Sequence, residues 1–131
     1  MASIFTKIVN GEIPSHRIAE SEDYLAFLDI APLQKGHTLV IPKQEVDYLY
    51  DLEDELLAGL FVFSKRVARA ISASIPCERV GVAVVGLEVP HAHVHLIPIN
   101  TMSDMDFTEP KLALAPEELA KIAGDIRTHF S

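Results

Sequence analysis

Apolar positions recur along this chain with two different periods, and the switches between them mark out its elements. Ile4, Phe5, Ile8 and Val9 fall on one face of a short helix, with Ser3 placed to cap it and Gly11 to stop it. Alternating or β-branched stretches then predict strands over residues 16–20, 24–29 and 37–41. Ser21-Glu22-Asp23 and the run from Pro32 to Gly36 provide the turns, and Pro42 closes the third strand. From about Leu52 to Ile75 the period lengthens. Leu52, Leu56, Leu60, Phe63, Val67, Ile71 and Ile75 recur every three or four residues, which predicts a long helix with Glu53, Lys65, Arg66, Arg69 and Ser72 toward water. Asp51, Glu53, Asp54 and Glu55 crowd its start and Arg66 and Arg69 lie in its second half, as the helix dipole favours; Pro76 ends it. Two more strands, 79–85 and 92–99, predict a hairpin through Gly86-Leu87-Glu88-Val89-Pro90. Pro110 and Pro116 bracket an irregular stretch, after which Leu119, Ile122, Ile126 and Phe130 mark a last helix with Pro116 in its first turn. The sum is an α+β fold: an antiparallel β-sheet packed with one long central helix, a short N-terminal helix and a C-terminal helix.

Composition narrows the function classes. At 131 residues, with no repeat or linker, the chain is expected to form a single domain spanning 1–131, and 49% hydrophobic residues suffice for a core without disulfide or metal. Cys77 is the single cysteine and the N-terminus has no apolar signal core, so a cytoplasmic location is expected. A net charge of -8 argues against a general electrostatic grip on nucleic acid. No apolar run approaches a membrane span. Mean hydropathy is nevertheless +0.22, high for so acidic a chain, which leaves apolar surface for a subunit interface.

Three of the six histidines fall within five residues. In His91-Ala92-His93-Val94-His95-Leu96 strict alternation puts three imidazoles on one face of a strand and Ala92, Val94 and Leu96 on the other. Two His at i and i+2 can share a metal, but over a strand His91 and His95 are ~13 Å apart. Zinc–nitrogen bonds of ~2.0 Å do not span that, so the run alone cannot give one ion three ligands. In a nucleophilic site, a neutral imidazole is a good nucleophile toward phosphorus if its second nitrogen is held by a hydrogen bond that fixes the tautomer. Its neighbours can then donate to the phosphoryl oxygens and the leaving group. The bland alternative, three partly exposed strand histidines without a role, is the weaker reading because clustered titratable groups are seldom structural.

His91-Ala92-His93-Val94-His95-Leu96-Ile97 also matches the signature of the histidine triad (HIT) family, His-x-His-x-His followed by two apolar residues. Residues 4–14, 25–32 and 36–43 resemble, in the right order, the N-terminal half of the family's nucleotide-binding proteins. The resemblance covers about residues 3–99 and leaves the C-terminal tail unassigned. It implies a HIT-like fold and a protein that binds a purine nucleoside monophosphate and cleaves what is attached to its phosphorus. By the same resemblance His93 is the nucleophile and carries a transient nucleotidyl group, His95 contacts the phosphate and helps protonate the leaving group, His91 is an orienting residue, and His37 completes the polar cluster around His93. On its own, His37 could equally be a satisfied core histidine. Asp29 matches the carboxylate that accepts hydrogen bonds from both ribose hydroxyls. Ile30, Phe5, Ile8, Phe27 and Val89 would line the base site, although Phe27 also reads as an ordinary core position. A single phosphate held by local donors needs no basic field, which reconciles the acidic balance with an anionic ligand.

This chain departs from the family pattern in three places. Zinc-binding members carry Cys-x-x-Cys and a His where this chain has Ser3, Thr6 and Glu45, so no metal and no other cofactor is expected. A longer polar loop before the triad is replaced by Val85-Gly86-Leu87-Glu88-Val89-Pro90, in which Leu87 cannot donate to a phosphate and Glu88 would repel one. The tail after Asn100, with Met102, Met105 and Phe107, aligns to nothing and could cover the site or a partner subunit. The resulting expectation is a phosphoramidase-type hydrolase of adenosine or guanosine monophosphate (AMP or GMP) conjugates. The alternatives are a dinucleoside polyphosphate hydrolase, or a nucleotide-binding interaction protein with little activity. The expected partner is a small purine nucleotide rather than nucleic acid or membrane. A homodimer is expected, as in relatives of this kind, with Leu57, Phe61 and Val62 available on the long helix.

Overall fold

A computed structural model of the chain describes residues 2–131. Its elements, in chain order, are α1 (Ile4–Val9), β1 (Arg17–Glu20), β2 (Tyr24–Leu28), β3 (Thr38–Pro42), α2 (Asp54–Ser74), β4 (Arg79–Ala83), β5 (Val94–Ile99) and α3 (Pro116–Thr128). Single 3-10 turns at Leu49–Asp51 and Met102–Met105 complete the regular structure. The five strands form one antiparallel sheet in the order β1-β2-β3-β5-β4. β4 and β5 are the expected hairpin, and β5 inserts between β4 and β3 as an inner strand.

The inner strands are covered on both faces, so both parities of each strand are apolar or buried. Ala26, Leu28, Val40, Val94 and Leu96 face α2 and α3 and join Leu60, Phe63, Val67, Ile71 and Ile126 in the larger core. Leu25, Phe27, Leu39 and Ile41 point the other way, under Phe5 and Ile8 of α1. His95 lies opposite both Leu39 and Ala83 in the sheet and therefore belongs to the α1 side. The long helix gives one face to the sheet and leaves Phe61 and Val62 exposed. Among the described residues no helix is long and apolar enough to cross a membrane.

The histidine run does not lie wholly on a strand, as the alternation predicts. β5 starts at Val94, and the reason is local. Ala92 N–H donates to Val46 O at 2.7 Å and His91 N–H to Val89 O at 2.8 Å, so these residues bond to loops instead of to β3. Opposite them Pro42 has no N–H to offer a ladder. The long helix likewise begins at Asp54 rather than Leu52, because Leu52 closes the preceding 3-10 turn with its N–H on Leu49 O.

The entry to β3 depends on Gly36. Its φ is +93°, a region that L side chains avoid, and a Cβ there would stand 2.2 Å from Ile75 Cδ1 and 3.3 Å from Pro98 Cγ. The close approach of this turn to α2 and β5 sets where the next residue, His37, leaves the chain. Gly36→Ala is expected to destabilise the fold by about 1–3 kcal/mol, combining backbone strain with a displaced Ile75. Urea unfolding of parent and variant measures the difference, and equal midpoints would contradict the packing argument.

Candidate active site

Four buried imidazoles, His37, His91, His93 and His95, gather on the α1 side of the sheet at the junction of β3 and β5. Backbone groups fix the tautomers of His37, His91 and His93 directly and that of His95 through His37, because a carbonyl can only accept and an N–H can only donate. His93 Nδ1 lies 2.7 Å from the carbonyl oxygen of His91, so Nδ1 carries the proton and Nε2 keeps its lone pair. His91 Nε2 donates to Pro42 O at 2.7 Å, leaving Nδ1 to accept from Ser3 Oγ at 2.9 Å. Leu33 N–H donates to His37 Nδ1 at 3.0 Å; His37 Nε2–H in turn donates to His95 Nδ1 at 2.9 Å. The proton of neutral His95 is thereby placed on Nε2. The rings are also packed: Phe5 meets His93 edge to face at 5.0 Å between centroids, and His93 meets His95 at 4.9 Å.

Three of the four rings, His37, His91 and His95, are held toward the neutral form. Burial pushes the His95 imidazole down to about 4, with the neighbouring His93 acting in the same direction. Burial and then His95 push His37 down to about 3. His91 is lowered as well, first by burial. The hydrogen-bond relay leaves two ring nitrogens over, His93 Nε2 and His95 Nε2. No hydrogen bond within the described residues engages either nitrogen, and neither is sealed from solvent.

Both rings line a cleft of about 560 Å³, within the ~300–1,000 Å³ usual for small-molecule sites. Phe5 and Leu39 supply apolar wall, Val89 faces them from the loop, and Asp29 stands at one side. Asp29 follows β2 where the chain pairs with His37, its Oδ1 accepting from Ala31 N–H at 2.9 Å and its Oδ2 lying 3.7 Å from His37 Nε2. Burial raises its carboxyl pKa, opposed first by the Ala31 N–H. The other site candidates are spread more widely. Ile8 and Phe27 lie in the apolar cluster with Phe5 and do not line the cleft, whereas Ile30 is 71% exposed and stands outside it. His93 also borders a second, smaller cleft of about 230 Å³, between Tyr48, Tyr50 and the loop at Val84–Gly86.

Two parts of the site go beyond the sequence reading, which names Phe107 only within a tail that could cover the site and Ser3, Thr6 and Glu45 only as replaced ligand positions. Phe107 and Lys111, from the tail, line the main cleft, and Phe107 stands edge-on to His95 at 4.9 Å. On the far side of His91, Ser3, Thr6 and Glu45 form a hydrogen-bonded cluster. Ser3 N–H and Thr6 Oγ1 both donate to Glu45 Oε1, at 2.7 and 2.6 Å, and Ser3 Oγ caps α1 by accepting from Thr6 N–H. These bonds hold the Glu45 carboxyl down at about 2, the largest influence being that from Thr6. The only described group with metal-ligating geometry is Asp29, His37 and His95, whose ligand atoms lie within 4.8 Å of one another. Both His37 nitrogens are already engaged, so a cation there would have to displace the Leu33 or the His95 bond.

Comparison with known proteins accords with this geometry. A family model described as the HIT domain matches residues 10–102, about seven-tenths of the chain and the whole histidine cluster. The chain belongs to the HIT family. Among relatives of this HIT protein is the Schizosaccharomyces pombe adenosine 5'-monophosphoramidase hnt1, 37% identical over 132 residues covering 96% of each chain. Among solved structures, a Hit-like protein from Bartonella henselae, described as involved in cell-cycle regulation and as holding an unknown ligand, superposes with a TM-score of 0.85. It is 31% identical, over 98% of this chain and 96% of that one. A zinc-bound histidine triad family protein from Mycobacterium smegmatis superposes with a TM-score of 0.82 at 31% identity, over 98% and 93% of the two chains.

Neutrality of the buried imidazoles ties the site to stability. In the unfolded chain an imidazole protonates near its ordinary value of about 6.5, whereas in the fold His95 does so at about 4 and His37 at about 3. The unfolded state therefore binds more protons as pH falls, and the contribution of the pair, complete above about pH 6.5, is lost progressively below it. Stability of the parent should fall between about pH 6 and about pH 4 more steeply than that of His37→Asn, by about 1 kcal/mol per pH unit. Urea midpoints across that range supply the slopes; identical slopes would show that His37 is not held neutral by the fold.

Proposed function

We propose that this HIT protein hydrolyses purine nucleoside 5'-monophosphates bonded to an amine, a phosphoramidase reaction, with His93 as the nucleophile. One observation carries the reading: His93 Nδ1–H is held by the His91 carbonyl, which leaves Nε2 as an unencumbered lone pair at the cleft. Attack by Nε2 on phosphorus forms a P–N bond to the ring and breaks the P–N bond to the amine, which departs with a proton. The ring becomes an imidazolium, and the His91 carbonyl oxygen faces the developing positive charge. Water then attacks phosphorus, His93 leaves as neutral imidazole, and nucleoside monophosphate is released. His95 Nε2–H is the donor for a phosphoryl oxygen. An anion there raises the proton affinity of His95, which equips it to protonate the leaving amine. The relay through His37 to Leu33 N–H keeps that donor aimed. Asp29, half-buried at the side of the cleft, offers carboxylate oxygens to a ribose. The S. pombe relative, named as an adenosine 5'-monophosphoramidase, supports the same reaction class.

The assembly proposed with this activity is a homodimer. β4 is an edge strand, and Val82, Val85, Phe61 and Val62 expose apolar surface on or near it and on α2. Such an edge is a liability unless paired or covered. Light scattering should give twice the 14.4 kDa chain mass, and a monomer at micromolar concentration would contradict it.

Activity is tested with adenosine 5'-phosphoramidate. His93→Ala should lower kcat by about a thousandfold or more, since both displacements pass through this ring. Comparable turnover by variant and parent would remove His93 from the nucleophile's role.

A further inference from the structure

The loop before the triad presents Leu87 and Glu88 to the cleft. Neither side chain donates to a phosphate, and Glu88 adds negative charge where an anion has to be held. The segment that follows β5 brings the opposite charge to the same place. It crosses the sheet at Gly81, whose lack of a side chain makes the room: a Cβ there would lie 2.2 Å from Met105 Sδ. Gly81 is paired with Ile97, which shares the strand face of His95, so the tail is seated on the site side. It is tied at several points. Asp104 Oδ2 accepts from Asn100 N–H at 2.8 Å and Thr101 N–H at 3.0 Å, Asp106 Oδ1 accepts from Thr108 N–H at 2.9 Å, and Leu112 N–H donates to Pro32 O at 2.8 Å. Between these ties Phe107 packs against His95 and His37, and Lys111 reaches the lining of the cleft.

Lys111 has no anionic partner among the described residues. Lys35, Lys43 and Lys121 each pair with a carboxylate at 2.7–2.8 Å, whereas Lys7 and Lys65, like Lys111, form no ion pair among the described residues but do not line the cleft. The Lys111 ammonium instead donates to two carbonyl oxygens of its own segment, Phe107 O at 2.7 Å and Glu109 O at 3.3 Å. Those contacts hold the head in place and leave one of its three N–H donors free. Its charge already acts inside the cleft: after burial, it is among the influences on both Asp29 and His37.

The geometry points to Lys111 as an anion-binding residue of the reaction, its ammonium taking a phosphoryl oxygen of the bound nucleotide where the side chains of Leu87 and Glu88 offer no donor. This assignment rests on the nucleotide reading of the cleft. It makes the tail part of the substrate site rather than a cover laid over it. The position also puts a cation in the same cleft as the His95 donor, so that the two would share the charge on phosphorus while Asp29 is left to the sugar.

Binding separates this role from turnover. Titration calorimetry of the full chain with AMP and with adenosine, for the parent, Lys111→Met and Lys111→Arg, reads the phosphate contact directly. Lys111→Met should weaken AMP at least tenfold and leave adenosine within about twofold, and Lys111→Arg should recover most of the loss. The AMP affinity of the parent should also fall more steeply with salt than that of Lys111→Met. Unchanged AMP affinity, or equal loss for AMP and adenosine, overturns the assignment. So does a parent that fails to bind AMP, which would remove the nucleotide reading with it. A second comparison uses adenosine 5'-phosphoramidate and an analogue whose leaving amine bears a carboxylate. Loss confined to the analogue would move the lysine's partner from phosphorus to the leaving group and overturn the proposal; equal loss on both supports it. A parent that binds AMP but cleaves neither substrate would sink the phosphoramidase reading while the calorimetry still decides Lys111.

Discussion

The hydrogen bond from His93 Nδ1 to the carbonyl oxygen of its neighbour His91 is the constraint on which the cleft depends. It requires the chain at 91–93 to leave sheet geometry, so that a carbonyl that would otherwise face a strand partner turns to a ring two residues on. It also requires His91 itself to be immobile. That follows from its burial and from the two bonds of its ring, one to Pro42 and one to Ser3. Pro42 can serve because a proline at the end of β3 has a carbonyl but no N–H, so the strand stops there and its last acceptor goes to a side chain. The His93 ring is thus oriented by backbone two residues away in its own chain, and the precision comes from strand ends rather than from side chains reaching across space.

The two faces of the sheet divide the work. On one, α2 and α3 provide ordinary apolar packing; on the other, the same strands carry an apolar floor beneath Phe5 and then, one strand further, His95. Neutral rings are compatible with this position and charged rings are not, since desolvation opposes the imidazolium. The low proton affinities of His37 and His95 are therefore the electrostatic side of the packing that positions them. The cluster of Ser3, Thr6 and Glu45 extends the logic to the N-terminus. A short helix of six residues has little stability of its own, yet its cap, its carboxylate partner and His91 are joined in one network.

Much of this was legible in the amino-acid sequence because it is periodic or contiguous. Seven apolar positions at three- and four-residue spacing identify α2, and alternation through His91, His93 and His95 does place the imidazoles together. The early end of the ladder was not legible, since it follows from a bond between Ala92 and Val46, a loop residue far away in the chain. Nor was the position of Lys111. No spacing connects it to His95; the connection is made by Gly81 and Met105, two unremarkable residues that matter only once β4 and the tail are stacked. Ser3 and Glu45 are conspicuous only as replacements, and their own hydrogen-bonding role shows only when residues 42 positions apart meet. Ile30 shows the converse: a segment match places it at the base, while here its side chain lies exposed outside the cleft.

The strand order bears on how such a chain comes into being. β5 is the last strand to be synthesised and an inner one in the sheet, flanked by β3 and β4. Until it arrives, β3 offers an apolar, unpaired edge, and β4 has no strand to hold it to the sheet. A nascent chain up to about residue 90 thus has every other strand and the long helix, yet only an interrupted sheet. The segment that joins its two parts is the one that bears His95 and leads out of His91 and His93. Completion of the fold and assembly of the reactive group are for this chain a single event, so a partly made protein has no premature chemistry to restrain.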